Sequence, residues 1–194
     1  MNLLLRTLLL MMTSRRRPPL DFREVGRVRM RVLPNDTDIL RHVNNGIYLS
    51  LMDLGRFDLM IRSGYWARLR KLGWYPVATN TTMTYRRSLQ TWQRYVLETK
   101  VIGFDDKAMY VEQRFVSNNE VYAVGYMRGR FLKRSGGTVS VAELGELAGL
   151  DPASMPVPEW VTNWVDSIAL PPSRASFPSD WDSPESTTPQ STSH

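Results

Sequence analysis

From Arg27 the chain reads RVRMRVL, with Val28, Met30 and Val32 alternating against Arg27, Arg29 and Arg31. A period of two predicts a strand with one face on a core and the other in water. The period then changes. From about Asn45 to Ser63, Ile47, Tyr48, Leu51, Met52 and Leu59 share one helical face, and Leu54, Phe57 and Met60 widen it. So broad an apolar face predicts a helix covered on most sides, as when a sheet wraps around it. Gly64 supplies its stop, and Trp66–Leu72 forms a short helical turn before Gly73. Four more strands follow without another long helix: Val77–Arg86, Arg94–Phe104, Lys107–Val116 and Val121–Leu132. Asp105-Asp106 and Asn118-Asn119 join the last three, being residue types that tolerate turn conformations. One strand, a long buried helix and a four-stranded antiparallel meander make an α+β fold.

The flanks are read from composition. After Gly136-Gly137 two short helices are predicted, Val139–Ala148 with Thr138 or Ser140 as cap, and Glu159–Ile168 after Pro158. From Pro171 onward Ser, Thr and Pro dominate, so residues 171–194 are expected to be a disordered tail. At the other end, MNLLLRTLLLMM is apolar for only twelve residues, is broken by Arg6 and is followed by TSRRR. A spanning helix needs about 20 apolar residues, and the segment has no small-residue cleavage pattern of a signal peptide. Two readings stand. Residues 1–17 form an interfacial helix with Arg15, Arg16 and Arg17 near anionic lipid, or a terminal helix packed on its own domain. Their removal is expected to leave fold and turnover intact while reducing partition onto anionic vesicles, whereas unchanged vesicle binding or loss of solubility would favour the packed helix. The expected division is a segment 1–20, a main domain 21–137, a helical extension 138–170 and the tail.

Charge and composition narrow the chemistry. The net charge is +6, and the first twenty residues hold four arginines and no acid. The excess over the middle suits an anionic partner: a phosphorylated cofactor, an acidic carrier protein or nucleic acid. The absence of cysteine removes disulfides, thiolate catalysis and cysteine-based zinc sites, and fits a reducing, cytoplasmic setting with membrane association left open. A single internal histidine makes a multi-histidine metal site a poor expectation. There is no G-x-S-x-G elbow, phosphate loop or dinucleotide fingerprint. Arg128-Gly129-Arg130-Phe131 resembles an RNA-recognition strand but lacks the aromatic pattern that stacks bases, so no nucleic-acid partner is expected.

The chemistry concentrates in Asn35–Tyr48, NDTDILRHVNNGIY, between the first strand and the long helix. It holds Asp36, Asp38, His42 and the pair Asn44-Asn45. Asparagine is a preferred N-cap, so the helix should begin at Asn44 or Asn45 with its free N–H groups pointing back into the loop. Those groups favour developing negative charge. A carboxylate just upstream of such an end is what acyl transfer to water needs. Asp36-x-Asp38, followed by Tyr48, resembles the motif of hotdog-fold acyl-CoA thioesterases of the 4-hydroxybenzoyl-CoA thioesterase type. The string His42-Val43-Asn44-Asn45 is similar to the acyl-ACP thioesterases of the same superfamily. The resemblance runs from about Arg27 to Lys133. It implies a hotdog fold and hydrolysis of an acyl-CoA, or an acyl-ACP, to free acid and thiol, without metal or redox cofactor. Asp38 would be nucleophile or general base, and the backbone N–H of Asn45 would polarise the thioester carbonyl. In the acyl-ACP enzymes an Asp-x-Asn-x-His set is implicated; Asp38 and His42 match it, but Leu40 stands where the asparagine should be, which favours the mechanism without the third residue. His42 then orients water or substrate, or holds the loop. Asp36 is assigned to the loop.

The resemblance also implies coenzyme A phosphates held by Arg and Lys near strand ends at a subunit interface. Arg86, Arg87, Arg128 and Arg130 are the candidates, against their being solvated faces of strands. It further implies a homodimer or larger homo-oligomer. A non-catalytic acyl-CoA-binding protein of the same fold is the alternative, since a fold does not dictate function.

Overall fold

A computed structural model describes residues 3–172 and 174–179. The expected tail therefore lies outside the described residues except at 171–172 and 174–179. Residues up to Pro156 form one compact unit and Val157 begins another.

In the first unit, helix α1 (Leu3–Ser14) precedes strand β1 (Gly26–Arg31), a single 3-10 turn (Pro34–Asp36) and the long helix α2 (Asn45–Arg62). Then come α3 (Tyr65–Leu72), β2 (Trp74–Tyr85), β3 (Arg94–Phe104), β4 (Met109–Ser117), β5 (Glu120–Lys133) and α4 (Val141–Ala148). The five strands make one antiparallel sheet in the order β1-β3-β4-β5-β2. The meander is as expected, and so are its turns: Asn118 and Asn119 both take positive φ, 50° and 60°, the geometry a two-residue hairpin of the right twist requires. α4 starts later than expected because Ser140 is its cap, accepting from the Glu143 N–H while Glu143 bonds back to the Ser140 amide. Strand β2 starts earlier, taking in Trp74, Tyr75 and Pro76. Proline is tolerated there because β2 is an edge strand with one row of backbone groups unpaired in the sheet. In the second unit, α5 (Glu159–Ser167) follows Pro158.

The inner face of the sheet carries Leu97, Val101, Val111, Phe115, Met127 and Phe131, all buried. Against it α2 buries Tyr48, Leu51, Met52 and Leu59. The helix comes closest at Gly55, where a methyl group would overlap Thr99 Oγ1 and Gln113 Nε2. A small residue is thus required for steric reasons although glycine weakens a helix. The other side of α2 is covered by α1, which explains the breadth of its apolar face. The periodicity did not foretell Asp58, fully buried in that face. It accepts from Ser14 Oγ at 2.6 Å, Arg17 Nη1 at 2.8 Å and Arg62 Nη1 at 3.3 Å. A buried carboxylate without such partners would be strongly unfavourable. Among the described residues no helix is long and apolar enough to cross a membrane.

Candidate active site

The loop between β1 and α2 is built around Asp36. Its carboxylate is buried and accepts from Arg6 Nη1 at 2.7 and 2.8 Å and from the Leu33 N–H at 2.9 Å. Its backbone carbonyl accepts from the N–H of Asn44, the cap of α2. Asp36 therefore holds both ends of the loop, as its assignment to the loop anticipated. Arg6 was not anticipated. It lies 30 positions away in a leucine-rich stretch, and no local pattern marks its partner. Helix α1 packs on its own domain through Arg6 and Ser14 and leaves its other face exposed. The expectation that residues 1–17 can be removed without harm is accordingly corrected, since Asp36 and Asp58 would both lose buried partners.

Inside this frame Asp38 is exposed. Its Oδ1 accepts from the Leu40 N–H at 2.9 Å, its carbonyl from the Arg41 N–H, and its N–H donates to the His42 carbonyl. These bonds fold the segment into a tight turn, with Arg41 at φ 60°. His42 is half-buried in an open cleft with Pro34, Thr37, Leu40, Gln90 and Trp92, and its main chain bridges to Gln90.

At the start of α2, Asn44 Oδ1 accepts from the Gly46 N–H at 2.9 Å. The cap thus satisfies Gly46 and leaves Asn45, the first helical residue, with an N–H that has no acceptor within its own helix. The Asn45 carbonyl accepts from Tyr85 Oη at 3.1 Å, which ties the end of edge strand β2 to the start of the helix. Tyr48 packs edge-on against Tyr85 and Phe115, and its hydroxyl accepts from the Leu89 N–H. Burial pushes its phenol up from the ordinary value. The structure thus brings Asp38, His42 and Asn45 onto one short loop and helix start, braced by Asp36 below and Tyr85 beside.

The basic candidates fall into two groups. Arg86 and Arg87 directly follow Tyr85; Arg86 is paired with Glu120 at 2.6 Å, and Arg87 lies over the Tyr122 ring. Arg128 lies on the outer face, where its Nε reaches Tyr110 Oη at 2.9 Å and Asp105 Oδ2 at 3.4 Å. Burial would raise the Asp105 carboxyl, but bonds from Tyr110 and the Lys107 and Ala108 amides, with Arg128 adjacent, hold it low. Burial and the bond to Asp105 push the Tyr110 phenol up to about 12. Arg128 is therefore largely committed to the β3–β4 turn. The Nε of Arg130 is buried with no hydrogen-bond partner among the described residues. The Arg86 amide bonds Tyr122 and Asn80 pairs with Arg128, so the groups stand six positions apart along β5, or about 20 Å. Within one chain they do not meet.

An apolar cavity of about 140 Å³ lies between α2 and the inner face, lined by Phe57, Met60, Val101, Met127 and Phe131 and reaching the β2 edge at Pro76–Ala78. Asp53 and Arg56 stand at its polar side. Arg56 bonds Asp53 and donates at 2.7 Å to Gln113 Oε1, while Gln113 Nε2 donates to Thr99 Oγ1 and the Met52 carbonyl. This network was missed because its members are scattered over α2, β3 and β4.

With this geometry in view, the comparisons with known proteins can be read. The family model of the thioesterase-like superfamily matches residues 32–165, and the chain belongs to that superfamily. It is 40% identical over 99 residues to Protein THEM6 of Xenopus laevis, which covers 51% of this chain and 48% of that one. The chain thus spans about half the length of that relative. Among solved structures it resembles YbaW, a probable thioesterase from Escherichia coli, with a TM-score of 0.59 at 18% identity over 63% of this chain and 95% of the other. It also resembles the DHNA-CoA thioesterase of Staphylococcus aureus, with a TM-score of 0.58 at 14% identity over 64% and 89%. The fold is the hotdog that the residues at Asp36–Tyr48 suggested.

The Arg6–Asp36 pair yields a stability prediction. Arg6→Ala should lower the unfolding free energy by roughly 3–5 kcal/mol, the usual loss when one member of a buried pair is removed. Arg16→Ala, on the exposed side, should stay within about 0.5 kcal/mol. Urea unfolding of both variants checks the contrast.

Proposed function

We propose that the protein hydrolyses an acyl-CoA thioester to the free acid and thiol at the loop that carries Asp38. The observation that carries this reading is the Asn45 N–H, without an acceptor in its own helix because the Asn44 cap takes Gly46, on the same braced loop as the exposed Asp38 carboxylate. The thioester carbonyl would accept from Asn45, and one such donor contributes roughly 3 kcal/mol of barrier lowering in a water-poor site. Asp38 would attack the carbonyl carbon or take a proton from water. His42 would orient the water or the substrate. Membership of the superfamily and likeness to a CoA thioesterase support the substrate class.

The site is exposed in one chain, and we infer that a second copy closes it by pairing along β2. A two-fold axis would set the Trp74 end of one β2 against the Tyr85 end of the other. Arg130 and the cavity mouth at Pro76–Ala78 lie toward the Trp74 end, whereas Asn45, Arg86 and Arg87 lie toward the Tyr85 end. Pairing would therefore bring Arg130 of one chain, with Arg128 beside it, toward Asp38 and Arg86 of the other. The acyl group would enter the cavity, and the coenzyme A phosphates would meet arginines from both chains. Edge pairing would also cover a row of open backbone groups.

The exposure of Asp38 also favours a second reading, a protein that binds acyl-CoA without cleaving it. Release of free thiol from a panel of acyl-CoAs separates the two. The hydrolase reading predicts steady thiol release with at least one acyl group, and binding of acyl-CoA without any release would favour the alternative. The dimer is checked by light scattering at micromolar concentration. A mass of two chains or a multiple of that is expected, and a monomeric mass with activity retained would refute the shared site.

A further inference from the structure

Helix α1 turns its charge inward and its leucines outward. Arg6 and Ser14 are buried and Leu10 packs on the core, while Leu5, Leu8, Leu9 and Met12 form a stripe at helical spacing, with Leu8 at 52% and Met12 at 62% exposure. A second exposed apolar patch joins the loop to which Arg6 pins α1 with the β2–β3 connection beside it. Ile39 is 98% exposed, Leu40 68% and Trp92 58%, and Trp92 is bonded through its N–H to the Val32 carbonyl next to β1. Trp92 holds φ at 68°, an unfavourable value for so bulky a residue, with its ring left toward water. Arg29 and Arg31 line the groove between β1 and α1, and Arg15 and Arg16 follow the stripe. Among the described residues none of these four has an acidic partner.

We propose that the outward stripe of α1 and the Ile39–Leu40–Trp92 patch form one docking surface for an anionic phospholipid bilayer, with the mouth of the Asp38 loop at the lipid surface. A helix with an apolar stripe and flanking arginines lies in the plane of such an interface, where tryptophan also prefers to sit. The occupant is lipid rather than a second copy because a two-fold interface pairs the same patch with itself, and this patch carries Arg15, Arg16, Arg29 and Arg31 without an acidic partner among the described residues. The Arg6–Asp36 pair fixes the two patches relative to each other, so that docking orients the loop.

Co-sedimentation of the full chain with phosphatidylcholine vesicles, with and without phosphatidylserine, tests this. Phosphatidylserine vesicles should be bound more tightly, with binding falling as salt rises. Leu8→Gln/Met12→Gln should weaken binding at least about tenfold, and so should Ile39→Asn/Trp92→Ser, because each pair removes two large apolar side chains from the buried set. Arg29→Gln/Arg31→Gln should cost roughly fivefold per arginine on phosphatidylserine vesicles and little on phosphatidylcholine alone. All the altered residues are exposed, and urea unfolding verifies that each variant folds. Wild-type binding by the Leu8/Met12 pair would overturn the docking surface, and wild-type binding by the Ile39/Trp92 pair would overturn the placement of the loop at the lipid. Unchanged vesicle binding with a lowered oligomer mass would assign the stripe to a second copy and also overturn the proposal.

Discussion

The Asp36 carboxylate is the constraint on which the rest of the site depends. It sits in a single 3-10 turn, buried, with two contacts from Arg6 and one from the Leu33 amide, while its carbonyl holds the Asn44 amide. A carboxylate buried there without such partners would be strongly unfavourable. Because its partners come from α1, from the end of the β1 strand and from the cap of α2, three otherwise separate elements are tied to one group. Asp38 and Asn45 follow from it by short lengths of chain. A charge pair two residues from the candidate catalytic carboxylate fixes the frame, within which that carboxylate's own bond to the Leu40 N–H shapes the turn.

The fold was legible because its two periods are clean. Alternation at Val28, Met30 and Val32 and the broad stripe from Ile47 to Met60 depend on burial of alternate or helical faces, and burial is what the sheet and α2 provide. Asn44 as cap and Asn118-Asn119 as turn were legible for a local reason, since each residue's own side chain or backbone preference fits its position. The pairs Arg6–Asp36 and Arg17–Asp58 were not legible, for they join residues 30 and 41 positions apart and leave no periodic trace. The same holds for Arg56, Gln113 and Thr99, which cluster only after α2 is laid on the sheet. Among the basic candidates, composition could show that Arg128 was cationic but not that Asp105 and Tyr110 would occupy it.

Two surfaces of the unit are unsatisfied in one chain, for different physical reasons. The β2 edge exposes backbone donors and acceptors in a row, which a second strand would satisfy. The stripe of α1 exposes side chains with no polar groups to satisfy, ringed by cations. The first suits a copy of the chain and the second an anionic apolar boundary. Helix α1 packs on α2 and shares a groove with β1, the outermost strand opposite to β2. A dimer through β2 would therefore leave α1 free on each chain.

The account turns on Asp38 as the group that acts on the thioester. Asparagine is close in size and can still accept the Leu40 N–H that shapes the turn, so Asp38→Asn should keep the fold while losing the ability to take a proton or to attack. The direct measurement is turnover of the best acyl-CoA substrate by Asp38→Asn alongside its affinity for the same molecule. The account predicts a fall in kcat of at least about a hundredfold with a much smaller change in affinity. Turnover near that of the unaltered protein, with the fold intact, would contradict it.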